Sequence, residues 1–354
     1  MKLKSMKRLL ILLFMTVLLG GCATEVATSS RRYVWPRPPD QPKIEWLKSY
    51  YSAESFPKSS FSQFMEVVFG SSEAQPFERP IDIKSNDKGL VFITDTIADG
   101  IFVYDMNNLH VTFWRKGTDP EKSMAITPYF LSMDASENIY AVGLGSRFIY
   151  VLDRNGTLIK RISYDAKVKT PAGILVDSAS GRIYLVDTGD SKVAVFDLSG
   201  NFLFDFGKPG EKAGEFNRPS PICMNGKGEI IIGDTMNARV QIFDKNGKFL
   251  RKFGERGDGD ANFQILKGVA TDSDNNIYVT DGKANQIKIF NDQGQFLMRL
   301  GSAYSVTSNL KEAPGGLLLP QGIHIDSSDN IYVVDQAHLR FQIFKYLKNE
   351  AVKK

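Results

Sequence analysis

The chain is poor in the residues that most often carry metal or redox chemistry. Its 354 residues include two cysteines, Cys22 and Cys223, and three histidines, His110, His324 and His338. Two cysteines cannot staple a disulfide scaffold or complete an all-cysteine zinc site, and three separated histidines leave little for a histidine-rich metal centre. No Gly-x-Ser-x-Gly elbow, His-Glu-x-x-His pair or phosphate-cradling glycine loop is present. An excess of charge of one sign is also missing. The formal charge of +4 comes from Lys2, Lys4, Lys7 and Arg8, and beyond residue 21 the chain holds 40 basic and 40 acidic side chains. Net charge therefore gives no argument for a polyanionic partner, and nucleic acid is not expected. With 42% hydrophobic and 11% aromatic residues the composition is too apolar for disorder.

The four basic residues precede an apolar run, Leu9–Leu19, followed by Gly20-Gly21-Cys22. At ~1.5 Å per residue the run covers about 16 Å, roughly half a bilayer core, too short for a mature membrane span. Residues 1–21 have the layout of a secretory signal. Leu19-Gly20-Gly21-Cys22 resembles the bacterial lipobox, which implies cleavage before Cys22 and lipidation of its thiol, leaving Cys223 without a partner. Ala23 stands where an aspartate would mark inner-membrane retention, so the outer membrane is the expected destination in a Gram-negative cell envelope. Residues 22–43 read as a lipidated cysteine plus a tether, because Trp35-Pro36-Arg37-Pro38-Pro39 favours extended polyproline II.

The remainder of the chain is repetitive. Six segments share an apolar strand, an Asp/Ser/Asn/Gly turn, an Ile-Tyr-Val-type strand, a polar turn and a third apolar strand. The second strands end at Asp95, Gly143, Asp187, Asp234, Asp281 and Asp335, spaced 48, 44, 47, 47 and 54 residues apart. Ten residues on come Asp105, Asp153, Asp197, Asp244, Asn291 and Lys345, a constant offset that implies one turn geometry. A fourth strand follows most copies, usually after a glycine turn such as Asn246-Gly247. Four short strands per unit predict an all-β fold, a six-bladed β-propeller of antiparallel blades spanning 44–347 with a tail at 348–354. The sixth copy runs out of chain before its fourth strand. Ile44–Tyr50 has the character to supply it and so close the ring. Phe61, Phe64, Met65 and Val68 at helical spacing, stopped by Gly70, predict a short helix near 60–69.

At Gly228–Asp244 and Asn330–Phe344 the pattern resembles NHL repeats. The resemblance extends over roughly residues 77–345, and the proline-rich tether is similar to that of bacterial NHL-repeat lipoproteins. It implies a six-bladed propeller used as a binding platform. Propellers of this kind include RNA binders, protein-interaction modules and a zinc-dependent lyase, so fold alone does not choose a function.

The repeated aspartates Asp95, Asp187, Asp234, Asp281 and Asp335 are expected to tie the turn between second and third strands by accepting backbone N–H groups or pairing with the basic residue five positions on. Arg147, Lys192, Asn237, Arg239, Lys283, Asn285, His338 and Arg340 in those turns form a candidate binding face. On the innermost strands Asp82, Lys84, Ser132, Cys223 and His324 are candidates to line a central channel. Asp258-Gly259-Asp260 resembles a fragment of a calcium loop, but such a site needs six or more oxygens. The expectation is a monomeric, membrane-anchored binding module for a protein, peptide or glycan. No catalytic residue, metal or cofactor is expected beyond the lipid on Cys22. An enzyme of the metal-dependent lyase or lactonase type is the alternative.

Overall fold

The structure, a computed structural model, describes residues 32–52, 55–56, 75–164, 167–303 and 313–348. Residues 1–21 expected as a secretory leader, Cys22, the helix expected near 60–69 and residues 349–354 lie outside them.

Five sheets each contain four consecutive antiparallel strands, and a sixth is assembled from both ends of the chain. Blade one comprises Pro80–Ser85, Leu90–Asp95, Gly100–Asp105 and His110–Arg115. The innermost strands of the later blades are Phe130–Met133, Pro171–Asp177, Pro219–Met224, Leu266–Thr271 and Pro320–Ile325. These six strands adjoin in order, and Pro320–Ile325 meets Pro80–Ser85 to complete a circle. The fold is a six-bladed β-propeller.

Blade six holds Pro320–Ile325, Asn330–Asp335 and Arg340–Tyr346, and Ile44–Tyr50 pairs antiparallel with the last of these as its fourth strand. The tether expectation needs correction at this point. Tyr33–Trp35 pairs with Ile44–Trp46 as a fifth strand, and the Lys43 amide donates to the Trp35 carbonyl at 2.7 Å. The proline-rich stretch is thus a return loop over at least residues 33–43, with cis bonds at Trp35-Pro36 and Pro38-Pro39, and not an extended spacer.

The strand composition follows from burial. Middle strands such as Ile183–Val186 and Val193–Phe196 are buried along their length because each blade is covered on both faces. Outer strands alternate, as in Phe202–Phe206, because only part of each faces a neighbour. The core is accordingly divided into six apolar clusters, each at the seam between two blades. The closing seam is the most aromatic. Tyr50 stacks on Phe341 with ring centroids 5.0 Å apart, and Tyr104 and Phe77 meet the same ring edge-on.

Glycine sets the spacing between blades. Gly156, Gly200, Gly247 and Gly294 occupy the turn before each outer strand at positive φ. A Cβ on them would lie 2.5–2.7 Å from Trp114, Ile162, Phe206 and Phe253 respectively, each from the outer strand of the preceding blade. Only a residue without a side chain lets that apolar group seat against the turn backbone.

The clasp between the chain ends yields the first prediction. Ile44 is 1% exposed within the cluster that joins blades five and six. Ile44→Asp buries an unpaired carboxylate there, and equilibrium urea unfolding should show a loss of roughly 3 kcal/mol or more. Unchanged stability would mean that the ring does not depend on this strand.

Candidate functional site: the axial channel and its upper mouth

Each innermost strand begins at the end of the ring that carries the turns between second and third strands and the connections from one blade to the next. We call this the upper end. The five turn aspartates are fully buried there, and their carboxylates gather the amides of these loops. Asp95 accepts from the Glu78 and Arg79 amides at 2.7 and 3.0 Å, Asp187 from Lys169 and Thr170 at 2.8 and 2.9 Å, and Asp281 from Gln264 and Ile265 at 2.7 and 3.0 Å. Asp187 also accepts from Gly189 in its own turn at 2.9 Å. Each carboxylate therefore latches the incoming connection to the turn of the blade it enters.

In blades four and six the basic residue five positions on joins the latch. Arg239 Nε donates to Asp234 at 2.8 Å, and its other nitrogens hold the carbonyls of Glu211, Lys212 and Glu215. Arg340 Nε donates to Asp335 at 2.7 Å. Its Nη1 reaches Tyr51 Oη at 2.8 Å and Ser49 Oγ at 3.4 Å, and its Nη2 reaches the Gly316 and Ala313 carbonyls at 2.7 and 3.2 Å. Arg340 is 0% exposed, so this guanidinium bolts the closing strand, blade six and the preceding connection together. Blade five does the same from a different position: buried Lys288, seven residues after Asp281, lies 4.0 Å from it and donates to the carbonyls of Gly259 and Asn262. Lys288 carries no signal in the repeat pattern, because its equivalents are glutamines, Gln241 and Gln342, which also donate to the aspartates. Blade two has Gly143 because a Cβ there would lie 2.1 Å from the Thr127 carbonyl oxygen.

These contacts correct the candidate binding face. Arg239 and Arg340 are buried, and His338, with its side chain 7% exposed, bonds to Asp335 at 2.8 Å. Asn237 donates to Asp234 and to the Gly210 carbonyl, both at 2.9 Å, and Asn285 accepts from Leu319. The first four face inward because the latch needs their polar groups, whereas Asn285 makes its bond at the surface. Arg147 and Lys283 stand exposed, while Lys192 turns from Asp187 to pair with Asp205 at 2.8 Å.

What the upper end offers instead is apolar. Ile97, Leu144, Met236, Ile265, Leu319 and Leu339 are exposed there, between 37% and 53%. Leu339 holds φ near +50°, a left-handed conformation that is strained for leucine and is shared by Asp99, Ser191, Ala238 and Asn285 at the equivalent turn position; Leu319 holds the same conformation just before an inner strand, as Arg218 does. Only the asparagine signals this in sequence.

Inside this rim opens a cavity of 260 Å³ lined by all six inner strands. Tyr129, Phe130, Leu144 and Pro221 supply its apolar wall, Lys267 and Gln321 its polar rim, and Asp82 and Lys84 its floor. Below lies a second chamber of 200 Å³, and Lys84, Ile174, Ile222, Val269 and Ile323 line both, marking a waist. The five channel candidates do line this axis: Asp82 above, Lys84 at the waist, and Ser132, Cys223 and His324 below. Tyr129, Lys267 and Gln321 are not legible in the sequence as channel residues, because they begin strands whose rotation about the axis is not encoded in their spacing.

Lys84 Nζ lies 3.1 Å from both Asp82 Oδ1 and the Ile83 carbonyl. Burial and the Lys84 charge push the His324 pKa down to about 3, and its Nε2 sits 3.0 Å from the Ser85 carbonyl, so the ring is a neutral donor there. Burial pushes the Cys223 thiol up to about 12, which leaves it without thiolate character at neutral pH. Neither is poised as a base or nucleophile. His110 lies exposed at the start of an outer strand, remote in the fold from His324 on an inner one. Among the described residues no group of three or more His, Cys, Asp or Glu side chains is arranged to hold a metal ion. Asp258 and Asp260 diverge, accepting from Gln264 and Arg299.

Residues 216–287 match the family DUF5128, described as a 6-bladed beta-propeller. No curated protein matches the chain. Among solved structures, a Bacteroides thetaiotaomicron protein of unknown function superposes with a TM-score of 0.60 at 14% identity, over 77% of this chain and 70% of that one. An auxiliary nutrient binding protein from the same organism gives 0.57 at 13% identity, over 77% and 70%. A catalytically inactive virginiamycin B lyase from Staphylococcus aureus, solved with quinupristin, gives 0.53 at 13% identity, over 76% and 80%. At these identities the likeness is one of fold.

Two measurements check the site's construction. Arg340→Met should cost about 3–5 kcal/mol in urea unfolding, since it strands a buried carboxylate. Lys192→Met, which breaks only a surface pair, should cost at most about 1 kcal/mol. The second concerns pH. The unfolded chain protonates His324 below its ordinary value of 6.5 and the folded chain only near 3, so the stability that the neutral ring contributes is lost as pH falls through that window. His324→Gln should therefore show a shallower fall in Tm between pH 6.5 and 4 than the wild type; parallel curves would contradict the assignment.

Proposed function

We propose that the chain is an exported, lipid-anchored propeller of the NHL type that docks a protein, peptide or glycan of the bacterial cell envelope at the upper mouth, without chemically converting it. The observation that carries this reading is the 260 Å³ mouth, walled by Tyr129, Phe130 and Pro221 and surrounded by exposed aliphatic side chains. Six of the twelve exposed large apolar side chains among the described residues surround this mouth, a grouping that suits an interaction surface, and Lys267 and Gln321 at the rim supply orienting polar contacts. The leader pattern ending at Cys22 and the proline-rich segment after it support export and anchoring, with Ala23 favouring the outer membrane. A nutrient binding protein among the structural neighbours is compatible with a binding role, and a lyase among them keeps the catalytic alternative in view. Against the latter stand the inward-turned latch residues, the neutral His324 and the protonated Cys223.

Three tests bear on this reading. Affinity capture from native envelopes should retain a partner on the wild-type chain and lose it about tenfold or more with Leu144→Asp or Met236→Asp, each a loss of ~1.4 kcal/mol or more of binding. Equal retention would exclude the upper mouth. Replacing Cys22 by Ser should release the protein from membranes in high salt, and persistence there would rule out the lipid tether. Stoichiometric zinc in the purified protein, lost on His324→Ala, would replace the binding reading with the enzymatic one.

A further inference from the structure

We propose that the lower chamber of the axial channel is a second binding site, for a small carboxylate with a short apolar body. The chamber is 200 Å³, many times the ~10–15 Å³ that one water requires. Its lining is divided by blade. Blades six, one and two, consecutive around the closed ring, contribute His324, Lys84, Ser85 and Ser132. Blades three to five contribute mostly apolar groups, among them Leu175, Met224 and Ala270. One wall thus offers hydrogen bonds and the opposite wall offers apolar contact, which matches a ligand with a polar head and a short hydrocarbon end.

The sign of the head follows from where the charges sit. Lys84 is the one ionised side chain that lines the lower chamber among the described residues; its partner Asp82 lines the upper cavity and not the lower. Asp82 is further engaged by the Leu131 amide at 2.8 Å and the Ile83 amide at 2.9 Å. Two of the three ammonium N–H groups of Lys84 have partners, Asp82 and the Ile83 carbonyl, and the third is available to an acceptor in the channel. His324 is neutral and adds no second charge. Of the lower-end carboxylates, Asp134, Asp177, Asp272 and Asp326 accept amides of their own turns, and Asp87, whose charge acts on His324, accepts the Ser327 amide at 3.0 Å; none of these lines the chamber.

A hydroxyl on the same wall points the same way. Ser132 Oγ accepts from the Val176 amide at 2.9 Å, which leaves its own O–H to donate. Ser85 Oγ takes no part, because it is buried beside Tyr332, whose own hydroxyl donates to Asp326 at 3.1 Å. A carboxylate seated against Lys84 would accept from Ser132, and charge-assisted bonds of this kind are the strong ones.

The test is calorimetric titration of the full chain with acetate, butyrate and benzoate, alongside butanol and butylamine as neutral and cationic counterparts of butyrate. At least one carboxylate is expected to bind saturably, with the alcohol and the amine failing to bind. Lys84→Met should weaken that binding about tenfold or more. Ser132→Ala should weaken it about threefold while leaving the Lys84–Asp82 pair in place. That second variant keeps the proposal testable should the first misfold. Absence of saturation by all three carboxylates, equal uptake of butanol or butylamine, or binding unaffected by Lys84→Met would overturn the proposal. Dependence on Lys84 without dependence on Ser132 would place the ligand in the upper cavity and overturn it equally.

Discussion

Pairing of Ile44–Tyr50 with Arg340–Tyr346 is the interaction on which the architecture rests. An open array of six blades would leave a strand edge at one end and a bare apolar face at the other. Closure covers both faces at once, and it makes six inner strands converge on an axis. The channel, its waist and its two chambers exist because the circle is complete. The seam is reinforced beyond backbone pairing. Trp46 Nε1 donates to Gln342 at 3.1 Å, Tyr50 stacks on Phe341, and Arg340 reaches Ser49 and Tyr51. Sequence-distant partners give a seam of high loop-closure cost, offset by aromatic burial and a fully bonded guanidinium.

The buried carboxylates solve a second problem. Inter-blade connections run across the upper end, where their backbone amides would otherwise compete for water at the rim of a dry core. A carboxylate with several lone pairs is an effective acceptor for two or more amides, and burial without an unpaired charge requires that it find them. Blades four, five and six add a cation whose donors are aimed at loop carbonyls, so amides and carbonyls of one connection are satisfied by one ion pair. Such pairs are weak evidence of net stabilisation, but they fix geometry. Here they hold turn residues such as Leu339 in left-handed backbone and project their side chains outward.

Much of the fold is legible from register alone. A constant offset of ten residues from the second-strand ends to Asp105, Asp153, Asp197 and Asp244 encodes the turns, and the early end of the sixth copy requires a donated strand. The structural role of the turn aspartates can be read from recurrence, because a group repeated around a ring serves the ring. Less legible is what the flanking polar residues do. Arg239, Asn237 and Arg340 lie in tight polar turns, which in sequence signals exposure; only the carboxylate buried beneath them pulls them in. The upper mouth is hidden for the complementary reason, since leucines and methionines in short turns carry no periodicity to show that they converge. Tyr33–Trp35 is hidden as a strand because a proline-rich composition describes backbone preference and not whether a partner strand is nearby.

The channel itself shows how a ring of near-identical units acquires a direction. Six equal strands would produce a symmetric bore with no preferred ligand orientation. Asymmetry enters through the inner-strand positions that differ between copies, where Lys84, Ser132 and His324 fall on consecutive blades while Leu175 and Ala270 occupy the equivalent places opposite. Asp82, two residues before Lys84 on the same strand, lies on the upper side of the waist, while Lys84 at the waist lines both chambers. The upper cavity therefore sees both members of the pair, together with Lys267, and the lower chamber sees the lysine alone. Position within the repeat supplies the scaffold, and departure from the repeat supplies the chemistry.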